Sequence, residues 1–374
     1  MSQNLAPTVS VVTVVHNGQQ YLHLAVESIL TQTFRDFELV IVDDGSTDST
    51  PEILNRFSDG RIRRLRNSAN LGVRRARNCA LAAARGKLIA IQDADDISSR
   101  ERLAQQVKVL RRRRDVAVIG SDYFEVNENS ESSIRVRMPV GDAPIKWHGL
   151  FQSPIANATS MFRRETAAQV GDYSESDALH GEDYDLWVRL IWARQRFANL
   201  HKPLVRVGCN PTGLSRTDPE LQSTNFHAIV QGNLERLVPI LRDDEALADL
   251  IWKLQVCGGF DQPLEQVERA LKVLDELTEN FCEYFKLDSR QQRRVHQIAR
   301  RRTARSLLHN AQQLSYAGRM AKANEFARLA TSLDKRLALS SGYGKLRVKN
   351  LLGRRSTQRL QNAQKRIKSA IHPS

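Results

Sequence analysis

Apolar, β-branched runs alternate with helically spaced apolar positions over the first hundred residues. Val9–Val15 is one such run and ends at the turn signal His16-Asn17-Gly18. Leu22, Val26 and Ile29–Leu30 then recur at helical spacing within Tyr21–Leu30. Phe37–Val42 is a second strand-like run, stopped by Asp43-Asp44-Gly45-Ser46. Thr50-Pro51 opens a helix, with proline in the first turn, where its missing N–H does no harm. Arg61–Arg66 predicts a short strand, Arg74–Ala84 an Ala-rich helix and Leu88–Gln92 a further buried strand. This alternation predicts an α/β fold, a mostly parallel sheet flanked by helices. Ligands in such sheets bind beyond the carboxyl ends of the strands. His16–Asn17, Asp43–Asp44 and Asp93–Asp96 each follow a strand, so they are expected to converge on one crevice.

The pattern is less regular further on. Val116–Ser121 and Tyr123–Val126 predict strands, Pro154–Arg163 a connecting strand and Asp183–Ala193 an amphipathic helix. Beyond about Asp218 helical patterns dominate, with Leu307–Leu333 forming a hairpin that turns at 317–319. Three regions follow: residues 1–220 as the α/β domain, 221–339 as a helical extension, and 340–374 as a basic tail, amphipathic or disordered.

Charge sharpens this division. Of the formal net charge of +14, eleven Lys or Arg lie in residues 335–374 with no acid among them, leaving +3 on the rest. Aromatic residues make up only 6% and do not interleave with the basic tail, which disfavours nucleic acid as a specific partner. Leu346, Leu351–Leu352, Leu360, Ile367 and Ile371 give the tail apolar positions. A tail of this kind suits peripheral contact with an anionic bilayer, and equally a solvated segment or an acidic partner. Cys79, Cys209, Cys257 and Cys282 are widely spaced and fit neither a zinc site nor a disulfide framework. Neither a signal peptide nor a membrane span is legible, so a cytoplasmic location is expected, with peripheral contact at the inner face of the membrane as one option.

Four polar clusters carry candidate chemistry. Asp93-Ala94-Asp95-Asp96 gathers three mutually repelling carboxylates, a set that a phosphate-bound magnesium or manganese ion would neutralise. The same residues also suit a helix cap. Asp43-Asp44-Gly45-Ser46-Thr47-Asp48 offers carboxylates to the N–H groups of a base, and is also a strong turn former. Asn70-Leu71-Gly72 and Arg74–Asn78 place cations at a helix start, where phosphate is favoured. Glu182-Asp183 at the mouth of a helix supplies a base able to take a hydroxyl proton, or a cap.

Taken in order, these strings resemble family 2 glycosyltransferases of the GT-A fold. The likeness runs from Val9–Asn17 through Val40–Asp48, Asn70–Gly72, Ala76–Asn78 and Gln92–Asp96 to Glu182–Trp187, roughly residues 8–217. It implies that Asp44, with Asp43, binds the donor base, and that Asn70 and Arg77 lie near the base or phosphates. Asp93 and Asp95 would hold Mn or Mg and the diphosphate, while Asp183 acts as base with Glu182 in support. The reaction implied is an inverting, single displacement from a nucleotide-sugar donor, UDP-sugars first, onto a glycan or lipid-linked acceptor. The chain departs from relatives with an aromatic-Arg-x-His segment, reading Val205-Arg206-Val207-Gly208-Cys209-Asn210 instead. Asn210, Ser215, Arg216 and His180 are the substitutes at hand, and Trp147 is either an acceptor-site or a core residue. A nucleotidyltransferase and a non-catalytic nucleotide-sugar binder are the alternatives; the first lacks the Gly-rich basic loop expected after strand one.

Overall fold

The computed structural model describes residues 6–126, 133–174, 181–208 and 219–344. His180, Asn210, Ser215, Arg216 and most of the basic tail lie outside them. The chain forms two compact units, residues 1–229 and 230–374.

The first unit is built on one nine-stranded sheet in the order β3-β2-β1-β4-β8-β6-β9-β5, with β7 paired to β6. Its strands are β1 Val9–Val15, β2 Phe37–Asp43, β3 Ile62–Arg66, β4 Leu88–Ile91, β5 Ile97–Ser98, β6 Val116–Val126, β7 Ser133–Val136, β8 Met161–Arg163 and β9 Arg196–Val207. β1 to β4 are mutually parallel, and β9 runs parallel to β6. β8, β7 and β5 run against their neighbours. The seven helices accompanying them are α1 Leu22–Leu30, α2 Thr50–Asn55, α3 Val73–Ala83, α4 Arg102–Arg112, α5 Asp142–Gly149, α6 Arg164–Gln169 and α7 Glu182–Trp192. β1, β2 and β4 are almost wholly buried, the expected state of parallel strands covered on both faces. Val9, Val11, Leu39, Ile41 and Ala90 share one core with Leu22, Val26 and Ile29 of α1 and Leu103, Val107 and Leu110 of α4. The two-residue period of the strands places these side chains on one face of the sheet.

The register decides where the polar loops end up. Val15 pairs with Asp43, Asp43 with Arg66, and Val12 with Ile91. The carboxyl ends of β1, β2 and β4 therefore lie side by side. Three departures from the sequence reading have local causes. Residues 116–126 form one strand rather than two, because β6 absorbs its irregularity as register shifts against β9. Pro154–Arg163 is not a continuous strand: a 3-10 turn at Asn157–Thr159 precedes the short β8. Trp147 is fully buried and packs edge-on against Phe151, so it belongs to the core.

Helix α8 (Pro219–Leu237) leads into the second unit, which holds α9 Glu245–Val256, α10 Leu264–Tyr284, α11 Ser289–Tyr316 and α12 Met320–Leu333. Asp288 and Gln291 close a capping box at the start of α11. The hairpin expected at 307–333 is present, but its first helix begins eighteen residues earlier, at Ser289.

Candidate active site

The loops beyond β1 and β2 are stitched together by short-range hydrogen bonds. Asn17, held at a positive φ of 53°, donates its N–H to Ser46 Oγ at 2.9 Å and accepts from Thr47 N–H through Oδ1 at 2.9 Å. His16 Nδ1 lies 2.9 Å from the Asp44 carbonyl. Gly45 makes the bend with φ +70°, and a Cβ there would meet Asn70 N at 2.7 Å. Only glycine lets loop 43–48 press this closely on loop 67–72.

Asp44 fastens those two loops. It is 1% exposed. Its Oδ1 accepts from Asn67 Nδ2 at 2.7 Å and Leu71 N–H at 3.0 Å, and its Oδ2 from Gly72 N–H at 3.0 Å. Asp43 Oδ1 accepts from Ser46 N–H at 2.9 Å, and its Oδ2 faces Arg66 Nε at 3.3 Å. The carboxylates expected to contact the base are thus buried and already partnered within the protein. Asn70 is exposed and closes its own turn through Gly72 N–H at 2.9 Å. Asn67 was not singled out from the sequence, because its partner lies 23 residues away.

Gly72 starts α3, and one and a half turns later the helix delivers Arg77 into the crevice. Arg77 is buried, with Nη2 3.1 Å from Asp93 Oδ1 and Nη1 paired with Glu182 Oε1. Its guanidinium also lies over the Tyr173 ring, 5.5 Å from the centroid. Asn78 clamps the Tyr173 backbone from both sides, at 2.9 and 3.2 Å. Burial alone would weaken the charge on Arg77, but Glu182 and Asp93 outweigh it and keep it firmly protonated. One cation thereby joins α3, the end of β4 and the start of α7.

Asp183 stands beside this pair. Gly181, at φ +99°, turns the chain into α7 and places Glu182, Asp183 and Asp185 in its first turn, where the helix dipole favours negative charge. The Asp183 carboxyl is nevertheless pushed up to about 7, by burial first and by Glu182 second, against the opposing pull of Arg77. An Asp so poised suits proton abstraction near neutral pH.

The Asp93–Asp96 loop is anchored from beneath. Gln92 Nε2 donates to the carbonyls of Asp93 and Asp96 at 3.0 and 2.8 Å. The fully buried Arg102 donates to the Ile91 and Ser160 carbonyls at 2.7 and 3.1 Å, and to Gln92 Oε1 and Ser98 Oγ at 3.2 and 3.0 Å. Burial, then Asp93 and Asp95, hold the Asp96 carboxyl well above the ordinary carboxylate range. Asp93 and Asp95 keep partial exposure above it. An oxygen-only donor set carrying excess negative charge fits a hard divalent cation. Among the described residues no three His, Cys, Asp or Glu side chains form a ready cage. Two carboxylates would leave the remaining positions to phosphate and water.

Comparison with known proteins bears on the family and the fold. The family profile "Glycosyl transferase family 2" matches residues 10–169. EpsE of Bacillus subtilis (strain 168) is 32% identical over 208 residues, covering 54% of this chain and 74% of its own. An Escherichia coli relative, UDP-Glc:alpha-D-GlcNAc-diphosphoundecaprenol beta-1,3-glucosyltransferase WfaP, is 38% identical over 99 residues, 26% of this chain and 39% of that one. Among solved structures, S. aureus TarS 1-349 in complex with UDP-GlcNAc superposes with TM-score 0.54 at 19% identity, covering 88% of this chain and 92% of that one, a likeness of fold. The chain belongs to glycosyltransferase family 2, and its fold is GT-A.

Proposed function

We propose that the protein moves a sugar from a nucleotide-diphosphate sugar, UDP-sugars first, onto a hydroxyl of a glycan or lipid-linked acceptor. The setting would be cell-surface polysaccharide or glycolipid synthesis at the inner face of the membrane. The observation that carries this reading is the Asp93–Arg77–Glu182 bridge with Asp183 beside it. It joins Arg77 to Glu182, 105 residues apart in the chain, and supports placing the diphosphate beside a proton acceptor. The relatives whose names specify UDP-glucose donors and diphosphoundecaprenol acceptors support the choice of donor and acceptor class.

In this reaction the acceptor oxygen attacks the anomeric carbon from the face opposite the diphosphate, inverting it. The acceptor proton passes to a carboxylate oxygen of Asp183 as the new C–O bond forms. The bond to the diphosphate breaks, and its electron pair leaves with the nucleoside diphosphate. Asp93 and Asp95 would hold Mn or Mg, which when bound offsets the charge of that leaving group. Arg77 pairs with Glu182 and Asp93 and so keeps both carboxylates oriented beside Asp183. Loop 67–72, fixed by Asp44, forms the base-side wall with Asn70 exposed upon it.

A thermal-shift panel of UDP-, GDP-, TDP- and CMP-sugars with and without manganese tests the reading. A manganese-dependent rise for a UDP-sugar that disappears in Asp95→Ala is the expected outcome. Equal stabilisation with and without manganese, or an Asp95→Ala response like wild type, would reject the assignment of the acidic loop.

A further inference from the structure

Helix α11 carries Arg290, Arg293, Arg294, Arg300, Arg301, Arg302 and Arg305. No Asp or Glu occurs anywhere in residues 289–324. Arg290, Arg293, Arg294, Arg301 and Arg305 recur at three- and four-residue steps and their multiples, so they share one face over about 22 Å, with Arg300 at its margin. Val295, Ala299, Thr303 and Ser306 on the other side are buried in the bundle. Arg290, Arg293, Arg294, Arg300 and Arg305 are exposed.

Four arginines of α11 are left without an acidic partner in this unit among the described residues. Helix α10 carries Glu265, Glu268, Asp275, Glu276, Glu279 and Glu283. Yet among the described residues Arg290, Arg293, Arg300 and Arg305 have no acidic partner, whereas Arg269 pairs with Asp244 at 2.9 Å. Positive and negative charge are segregated between neighbouring helices. After α12, Asp334 caps the 3-10 helix Lys335–Leu339, its carboxyl held low first by Arg336 and least by Arg301 of the stripe. That short helix adds Lys335 and Arg336 and ends on Leu339, which is 92% exposed.

We infer that the α11 arginines, together with Leu339, form a docking surface for the anionic phospholipid headgroups of a bilayer. Guanidinium groups bind phosphate oxygens in pairs, which suits a stripe of arginine without lysine. A nearly fully exposed leucine gives nothing to a soluble polyanion, but loses apolar surface to water when it enters a lipid interface. No Phe, Tyr or Trp lies between Arg290 and Arg305 to stack on nucleic-acid bases. Because the apolar face of α11 is already buried, the helix docks without leaving its bundle, and the contact is electrostatic and salt-sensitive. This surface does not depend on the sugar-transfer reading and stands or falls separately from it.

The test is co-sedimentation of the full chain with phosphatidylcholine vesicles, with and without phosphatidylglycerol. Wild type is expected to bind only the anionic vesicles, and to be released by salt but not by free glycerol phosphate. Reversing Arg290, Arg293, Arg294 and Arg305 to Glu is expected to weaken partitioning at least about tenfold with the basic tail intact. Replacing the same four by Lys retains salt-sensitive binding, and Leu339→Asp, at a site too exposed to disturb the core, weakens it. Donor hydrolysis stays at the wild-type level in every variant. Undiminished vesicle binding by the Glu variant or by Leu339→Asp overturns the inference. So does release by glycerol phosphate, or binding of polyphosphate or DNA without binding of vesicles.

Discussion

Asp183 is where the physics of a single side chain makes the sharpest forecast. Burial and the adjacent Glu182 push its carboxyl up to about 7. A base works deprotonated, so kcat/KM is expected to rise through that pH and to fall away on the acid side, with a midpoint near 7. Glu182→Gln removes the like charge and is expected to shift this midpoint to lower pH; an unchanged profile would separate the limb from Asp183. The same crowding bears on stability. A carboxyl whose folded pKa is raised favours the fold when protonated, below about pH 4, and loses that contribution as pH climbs through its folded value. Asp183→Asn is therefore expected to melt above wild type at pH 8, with the difference shrinking towards pH 4, as differential scanning calorimetry would show. Asp183, Asp93 and Arg77 were legible in the sequence because each sits in a short string beside a predicted strand end or helix start. Tyr173, Asn67 and Arg102 were not: their partners lie far along the chain or under a loop, and no local pattern announces them.

At the scale of elements, the site is made by loops held at strand ends. β1, β2 and β4 were readable from uninterrupted apolar runs, and α3 and α7 from helical spacing. β9 was not, because Arg196, Asn199, His201, Lys202 and Pro203 break its alternation, and it is made a strand by pairing with β6 and β5. Two substitutions probe the loops. Gly45→Ala forces a side chain onto the backbone of residues 69 and 70 at a positive φ, so it is expected to destabilise the protein by about 2 kcal/mol or more. Because Asp44 holds the same loop, the substitution also raises the KM for donor, and kinetics with a UDP-sugar would measure both. Arg102→Met removes a side-chain donor from the Ile91 and Ser160 carbonyls, though Ser160 keeps Ile91 N–H at 3.1 Å, and takes a buried cation from under the acidic loop. A loss of about 3 kcal/mol in urea unfolding is expected. Little change would show that the loop stands without it.

Over the whole molecule, composition spoke more clearly about charge than about shape. The basic stretches at Arg290–Arg305 and in the tail were both readable at once, whereas the alignment of the α11 arginines opposite a buried face appears only in the structure. The helical second unit was legible as helical, and so was the run Arg290–Arg305, but its continuity with the hairpin helix was not, because the apolar period fades where arginine is dense. In the first unit, carboxylates from β2, β4 and α7 meet α3 through Asp44, Asp93 and Glu182. The account rests on that meeting being a transfer site with Asp183 as its base. The most direct measurement takes Asp183→Asn and, on one sample, determines both the Kd for a UDP-sugar with manganese and the single-turnover transfer rate. The account predicts donor affinity within about threefold of wild type and transfer slowed at least about a hundredfold. Transfer at close to the wild-type rate would contradict it.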